Sequence, residues 1–225
     1  PGDNLFSESI IAVDVETGER VWHFQAVHHG LWDYDFPTHP NLLDITVDGR
    51  TIRALAQVSK QGFTYVFDRV TGDPVWPIEE RPVPQESNLP GEVPSLTQPF
   101  PTKPPPFEYQ GVTIDDLVDF TPEIRAMAVE AVQDFKLGPL FTPPQRAVED
   151  GQAGTIQRPA IDGGANWGGA GVDPETGILY VPSHNRYSVL QYYTPDAAEG
   201  GTMRFTQGAF GSGRQPTMPQ GLPLF

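Results

Sequence analysis

The sequence predicts an all-β protein assembled from repeated antiparallel units, and three observations predict it. An Asp-x-x-Thr-Gly turn recurs at residues 14–18, 68–72 and 173–177, flanked each time by β-branched or aromatic residues, as strands prefer. A tryptophan follows the first two turns at the same phase, Trp22 and Trp76. The 25 prolines and 23 glycines among 225 residues punctuate the chain, yet 38% of it is apolar and 11% aromatic. That combination suits a loop-rich β protein better than a disordered one.

Each repeat reads as strand, tight turn, strand. The Asp carboxylate accepts from backbone amides two or three residues on, and Gly takes the positive φ that closes the hairpin. The units run from Ile11 to Trp22, from Tyr65 to Trp76 and, without the tryptophan, from Gly171 to Pro182. A tryptophan at constant phase suits one task performed twice, the packing of a unit against its neighbour. The first two copies lie about one propeller blade apart, at roughly 40–50 residues per blade; two hairpins of a β-sandwich are the alternative. The third copy follows after about twice that interval, so an insertion is expected over about 77–145.

Within that insertion, residues 77–106 carry runs such as Pro82-Val83-Pro84 and Pro104-Pro105-Pro106, which exclude helix and leave few strand patterns. One helix follows. Thr121 is its N-cap, Pro122 its first residue, and Glu123 complements the positive end of the dipole. Ile124, Met127, Ala128, Ala131 and Phe135 recur at helical spacing until Gly138-Pro139. The Gly/Pro/Gln-rich stretch 199–225 is expected to be a long loop. With no strand pattern after it, this loop is expected to be cut rather than finished.

The formal net charge of −15 argues against a nucleic-acid partner, whose phosphates demand Lys and Arg; a cationic metal or a neutral substrate fits better. The absence of cysteine excludes disulfides, thiolate zinc sites and thiol nucleophiles. No apolar run approaches the roughly 20 residues that span a bilayer.

The densest chemistry lies in His28-His29-Gly30-Leu31-Trp32-Asp33-Tyr34-Asp35-Phe36-Pro37. In an extended segment Asp33 and Asp35 share a face, and Trp32, Tyr34 and Phe36 line the other. Two carboxylates on one face repel unless a cation or a shared proton lies between them. A surface loop with scattered acids is the bland reading. His28 and His29 are adjacent and face opposite ways, a poor metal pair, and are read as hydrogen-bonding residues that shape the substrate entry. His39 and His184 receive no role.

Together, the Asp-x-x-Thr-Gly-x-x-x-Trp repeats, the Trp32-Asp33-Tyr34-Asp35 segment and Gly163-Gly164-Ala165-Asn166-Trp167 resemble the pyrroloquinoline quinone (PQQ) dependent dehydrogenases. Trp22-His23-Phe24-Gln25, the segment from His28 to Pro40, and Phe141-Thr142-Pro143-Pro144 are similar to the membrane-bound glucose dehydrogenase branch. The resemblance runs from about Asn4 to Pro182. It implies an eight-bladed β-propeller with tryptophan docking motifs, of which this chain supplies three to four blades. The family's other metal ligands, a carboxylate and an asparagine, belong to blades N-terminal to Pro1.

The resemblance also implies roles. Asp33 matches the general base that takes the proton of a substrate hydroxyl. Lys60 matches the cation that hydrogen-bonds the quinone oxygens, and Asn166 and Trp167 match the loop that binds PQQ through an amide and an apolar ring face. Asp35 is a candidate ligand for a metal, calcium or magnesium, or a lanthanide. The expected activity is oxidation of an alcohol or aldose sugar, with electrons passed to a quinone or cytochrome. The expected location is the periplasm, with a membrane anchor supplied by segments outside this chain. A non-catalytic scaffold propeller and a carbohydrate-binding propeller are the rivals. The scaffold would lack Asp33, Lys60 and Asn166 together, and all three are present.

Overall fold

The structure, a computed structural model, describes residues 2–148, 150–194, 205–208 and 213–225. Among the described residues the strands follow one another as β1 (Ser9–Val13), β2 (Arg20–Gln25), β3 (Asn41–Val47), β4 (Arg50–Val58), β5 (Thr64–Asp68), β6 (Ile78–Pro82) and β7 (Thr97–Pro101). After helix α1 (Pro122–Val132) come β8 (Phe135–Lys136), β9 (Gln145–Arg146), β10 (Gly154–Gln157), β11 (Gly171–Asp173), β12 (Ile178–Tyr180), β13 (Ser188–Tyr193) and β14 (Thr206–Gln207). They form the hairpins β1-β2, β6-β7 and β11-β12, the antiparallel sheet β3-β4-β5, and a mixed sheet β14-β13-β10-β8 in which β9 also pairs with β13. Among the described residues no helix is long and apolar enough to cross a membrane.

The three repeats build one turn three times. Asp14 Oδ1 accepts from the amides of Glu16 and Thr17, at 3.0 and 2.8 Å, and the Gly18 amide returns to the Asp14 carbonyl at 2.8 Å. Asp68 accepts from Val70 N, and Asp173 from Glu175 N. Gly72 and Gly177 close their turns with the same 2.8 Å bond as Gly18, all three at positive φ. A different turn joins β3 to β4: Asp48 and Gly49 both have positive φ and link the paired residues Val47 and Arg50, the two-residue geometry that matches strand twist.

Trp22 docks the first unit on the second. Its Nε1 donates to the Arg69 carbonyl at 3.3 Å, and a Cβ on Gly72 would lie only 2.6 Å from its ring. Trp76 packs against the small cluster of Ala54, Ala56 and Val66, which also receives Leu179 of β12. The main core joins β1-β2 to β3-β4-β5 and the insertion through Trp22, Trp32, Tyr34, Phe63, Tyr65, Phe67 and Phe141.

Three expectations need correction. Residues 77–106 contain strands: β6 and β7 pair from Ile78↔Pro101 to Pro82↔Thr97. A two-stranded ribbon has two free edges, so the prolines that break an inner strand are tolerated there. Helix α1 starts as expected, with Thr121 Oγ1 accepting from Ile124 N, but stops at Val132. Phe135 leaves the helix to pair in parallel with Gly154 of β10, and its side chain still enters the cluster formed by Ala128, Val132 and Ile156. The second repeat returns from its turn only as a bridge between Phe67 and Pro74, because proline has no amide to extend the ladder.

Of the loop expected over 199–225, residues 199–204 and 209–212 lie outside the described residues. Thr206 and Gln207 pair with β13, and the final residues fold back so that Leu224 O accepts from Val118 N.

Candidate active site

The segment after β2 is held by its aromatics. Trp32 and Tyr34 are buried; the indole donates to Thr142 O at 2.7 Å and the phenol to Pro159 O at 2.6 Å. Both pack edge-on against Phe141, which the insertion supplies. Asp33, between them, has φ +61°, a left-handed conformation that an Asp tolerates better than a branched residue. The segment is therefore not the regular extended strand that alternation assumed. Even so, Asp33 and Asp35 both reach the same group.

That group is Lys60. It sits in the turn between β4 and β5, its side chain only 9% exposed, with Nζ 3.0 Å from Asp33 Oδ2 and 2.7 Å from Asp35 Oδ1. Burial works against the ammonium, but the hydrogen bonds and charges of Asp35 and Asp33 outweigh it and hold its pKa above the ordinary value. The Lys60 carbonyl accepts from Gly164 N at 2.9 Å. A Cβ on Gly163 would lie 2.4 Å from the lysine side chain, so the glycine loop can close on Lys60 only without side chains.

The same loop carries Asn166, whose Nδ2 donates to Asp162 O at 2.8 Å and whose Oδ1 accepts from Trp167 N at 2.9 Å. Trp167 is 86% exposed. Asp33, Lys60, Asn166 and Trp167 line one cavity of about 590 Å³ together with Ile161, Asp162 and Gly168. The structure thus brings four of the five expected site residues to one opening, while Asp35 meets Lys60 but is not part of the lining. Among the described residues, no three His, Asp or Glu side chains are arranged so as to hold a metal ion.

His28 and His29 are hydrogen-bonded, but to the insertion and the N-terminal residues rather than around the cavity. His28 Nε2 lies 3.0 Å from Glu80 Oε1 and its Nδ1 3.0 Å from Gln25 Oε1. His29 Nε2 lies 2.5 Å from Glu92 Oε1. Gln98 clamps the backbone of His28 with two bonds, accepting from its amide and donating to its carbonyl. The Pro-rich insertion is thus the scaffold of the Asp33 segment, and the expected role of the histidines at a substrate entry is not what their contacts show.

Sequence reasoning missed Glu8. Its carboxylate lies where a Cβ of Gly30 would stand, and Oε2 is buried without a hydrogen-bond partner. Burial, then the negative charges of Asp35 and Asp33, push its pKa up to about 7, against the pull of Lys60. No local signal marks it, since the residue simply precedes a strand. Ile161 and Asp162 were also missed, although they adjoin the Gly163-Gly164 pair.

Comparisons with known proteins agree with this architecture. The family described as "PQQ: Glucose/ethanol/alcohol dehydrogenase, beta-propeller domain" matches residues 1–223. The glycerol dehydrogenase large subunit of Gluconobacter oxydans is 34% identical over 80% of the chain and 24% of its own length. The quinoprotein glucose dehydrogenase of Escherichia coli is 35% identical over 77% of the chain and 21% of its own. Among solved structures, the quinohemoprotein alcohol dehydrogenase ADHIIG of Pseudomonas putida HK5 superposes with TM-score 0.53 at 22% identity, covering 92% of the chain and 25% of that protein. A europium-containing methanol dehydrogenase gives 0.51 at 23% identity, over 85% of the chain and 26% of its own. These likenesses show the fold, part of a β-propeller, and the chain spans about a quarter of the length of its relatives. The match over nearly every residue, on a partial propeller whose tryptophan docking is visible at Trp22, makes the chain a member of the β-propeller domain family of PQQ-dependent glucose/ethanol/alcohol dehydrogenases.

Proposed function

We propose that the whole protein is a PQQ-dependent dehydrogenase that oxidises an alcohol or aldose sugar, and that this chain supplies its base and part of its cofactor cradle. The observation that carries the reading is the convergence of Asp33, Lys60, Asn166 and Trp167 on one cavity. PQQ, when bound, supplies an ortho-quinone that accepts a hydride from the alcohol carbon. The residues fit it: a buried ammonium to meet anionic oxygens, an exposed indole to cover an apolar ring face, and glycines that let backbone approach closely.

Asp33 takes the proton of the substrate hydroxyl. Lys60, 3.0 Å from its Oδ2, holds that carboxylate in place beside the cavity that both residues line. Asn166, oriented by Asp162 and the Trp167 amide, fixes the loop that carries the indole. Among the described residues no three His, Asp or Glu side chains come together to hold a metal ion on their own. A calcium, magnesium or lanthanide ion in the whole protein would need further ligands from outside these residues. Electrons would leave to a quinone or cytochrome on the periplasmic side.

The test is reconstitution of the full-length protein. Reduction of an artificial acceptor is expected only with PQQ and a divalent or trivalent cation both present. Asp33→Asn should lower turnover by about 10²-fold or more with PQQ still bound. Activity that persists after exhaustive chelation and dialysis, or that requires a nicotinamide, would overturn the reading.

A further inference from the structure

Lys60 is gripped at both ends by one residue. Its backbone amide donates to the Asp35 carbonyl at 3.3 Å, and its Nζ lies 2.7 Å from Asp35 Oδ1. Asp33 meets the ammonium from the cavity side, through Oδ2 at 3.0 Å. An ammonium has three donors and no acceptor, and one this buried needs partners. The two aspartates are those partners.

Asp35 Oδ1 is enclosed although the side chain as a whole is 40% exposed, and its close neighbour is the lysine ammonium at 2.7 Å. The carboxylate is absent from the cavity lining that contains Asp33 and Lys60. A hard cation binds carboxylate oxygen at about 2.3–2.6 Å. Bound to this oxygen, it would crowd a positive charge that already lies 2.7 Å from the same atom.

We propose that Asp35 is a positioning residue for Lys60, and that the lysine ammonium fills the place between Asp33 and Asp35 that a cation would otherwise take. Asp35 then sets the direction of the Lys60 charge toward the cavity instead of ligating a metal. The inference rests on the dehydrogenase reading for its meaning, but its first test does not depend on a cofactor.

That test follows modification of Lys60 by an amine-reactive reagent, read by mass spectrometry on cofactor-free, metal-free full-length protein. Lys60 should react slowly in the parent, about fivefold or more faster in Asp35→Asn, and slowly again in Asp35→Glu, which keeps the charge and covers the case in which the amide variant folds poorly. Equal rates in parent and Asp35→Asn overturn the proposal. A second measurement titrates PQQ by quenching of intrinsic fluorescence, still without metal. Asp35→Asn should weaken binding about fivefold, and should weaken it no further once Lys60→Met is present. An undiminished effect in the Lys60→Met background overturns the proposal, as does a tenfold or greater loss of calcium affinity on Asp35→Asn in that background. Failure of the parent itself to bind PQQ would sink the cofactor reading, and the labelling rates would still decide the role of Asp35.

Discussion

At the scale of residues, the site places three carboxyls around one ammonium: Glu8, Asp33 and Asp35 about Lys60. Lys60 cannot neutralise all three, and the one most removed from water, Glu8, keeps its proton up to about pH 7. In the unfolded chain a glutamate loses its proton near 4.5. Between those values the native state binds more protons than the unfolded one, so Glu8 lowers stability as pH rises from about 4.5 to 7 and is neutral below that window. Glu8→Gln is therefore expected to gain on the parent as pH increases from 5 to 8, by about 2–3 kcal/mol at most, since Glu8 keeps some contact with water. Urea midpoints of the cofactor-free protein measured across that range check it; a difference that does not vary with pH would mean that Glu8 ionises as an ordinary glutamate. That Asp33, Lys60, Asn166 and Trp167 would meet at one opening could be expected from the sequence because the segments that carry the family resemblance contain them. The role of Glu8 could not, because it arises from the approach of Gly30 across the fold.

At the scale of elements, the three Asp-Thr-Gly turns show what local chemistry decides and what packing adds. Gly18 and Gly72 have nearly the same backbone, with φ +72° and +80°. A Cβ on Gly18 would meet nothing within 4 Å, whereas one on Gly72 would strike Trp22 at 2.6 Å. Gly18→Ala should therefore show only the strain of a left-handed residue, about 1–2 kcal/mol. Gly72→Ala should add an overpacking penalty of about 1–3 kcal/mol, because the backbone of the turn is tied to Asp68 and Asp73 and cannot retreat. Denaturation of the two variants under identical conditions separates them, and equal losses would show that Trp22 moves aside freely. The hairpin turns could be read from sequence because Asp and Gly make them without outside help. The β6-β7 ribbon could not, since its prolines are tolerated only where both edges stay free of further strands. The last turn of the helix pattern failed for a related reason: Phe135 satisfies the same core from a strand, and the pairing with β10 then decides its backbone.

At the scale of the whole molecule, units meet through their apolar faces, and among the described residues the outer faces of β1-β2 and β11-β12 expose apolar side chains. In β1 the inward residues Ile10 and Ala12 enter the core, while Ile11 and Val13 point outward and are exposed, joined by Val21 on β2. Ile178 and Tyr180 on β12 are exposed in the same way. A relative four times as long has further units to place there, and a contiguous apolar face left open promotes association. Residues 1–225 expressed alone are therefore expected to self-associate, and to bind PQQ more weakly than the full-length protein because Trp167, which lines the cavity, stands uncovered. Sedimentation velocity over a range of concentrations measures the first effect. Ile11→Thr with Val13→Thr and Val21→Thr should shift the distribution toward monomer without unfolding, since none of these side chains belongs to the core, whereas Ile10→Thr should destabilise the fold instead. A chain that is monomeric at every concentration, or a triple variant that associates as strongly as the parent, would show that the outer face of β1-β2 is not where a neighbouring unit packs.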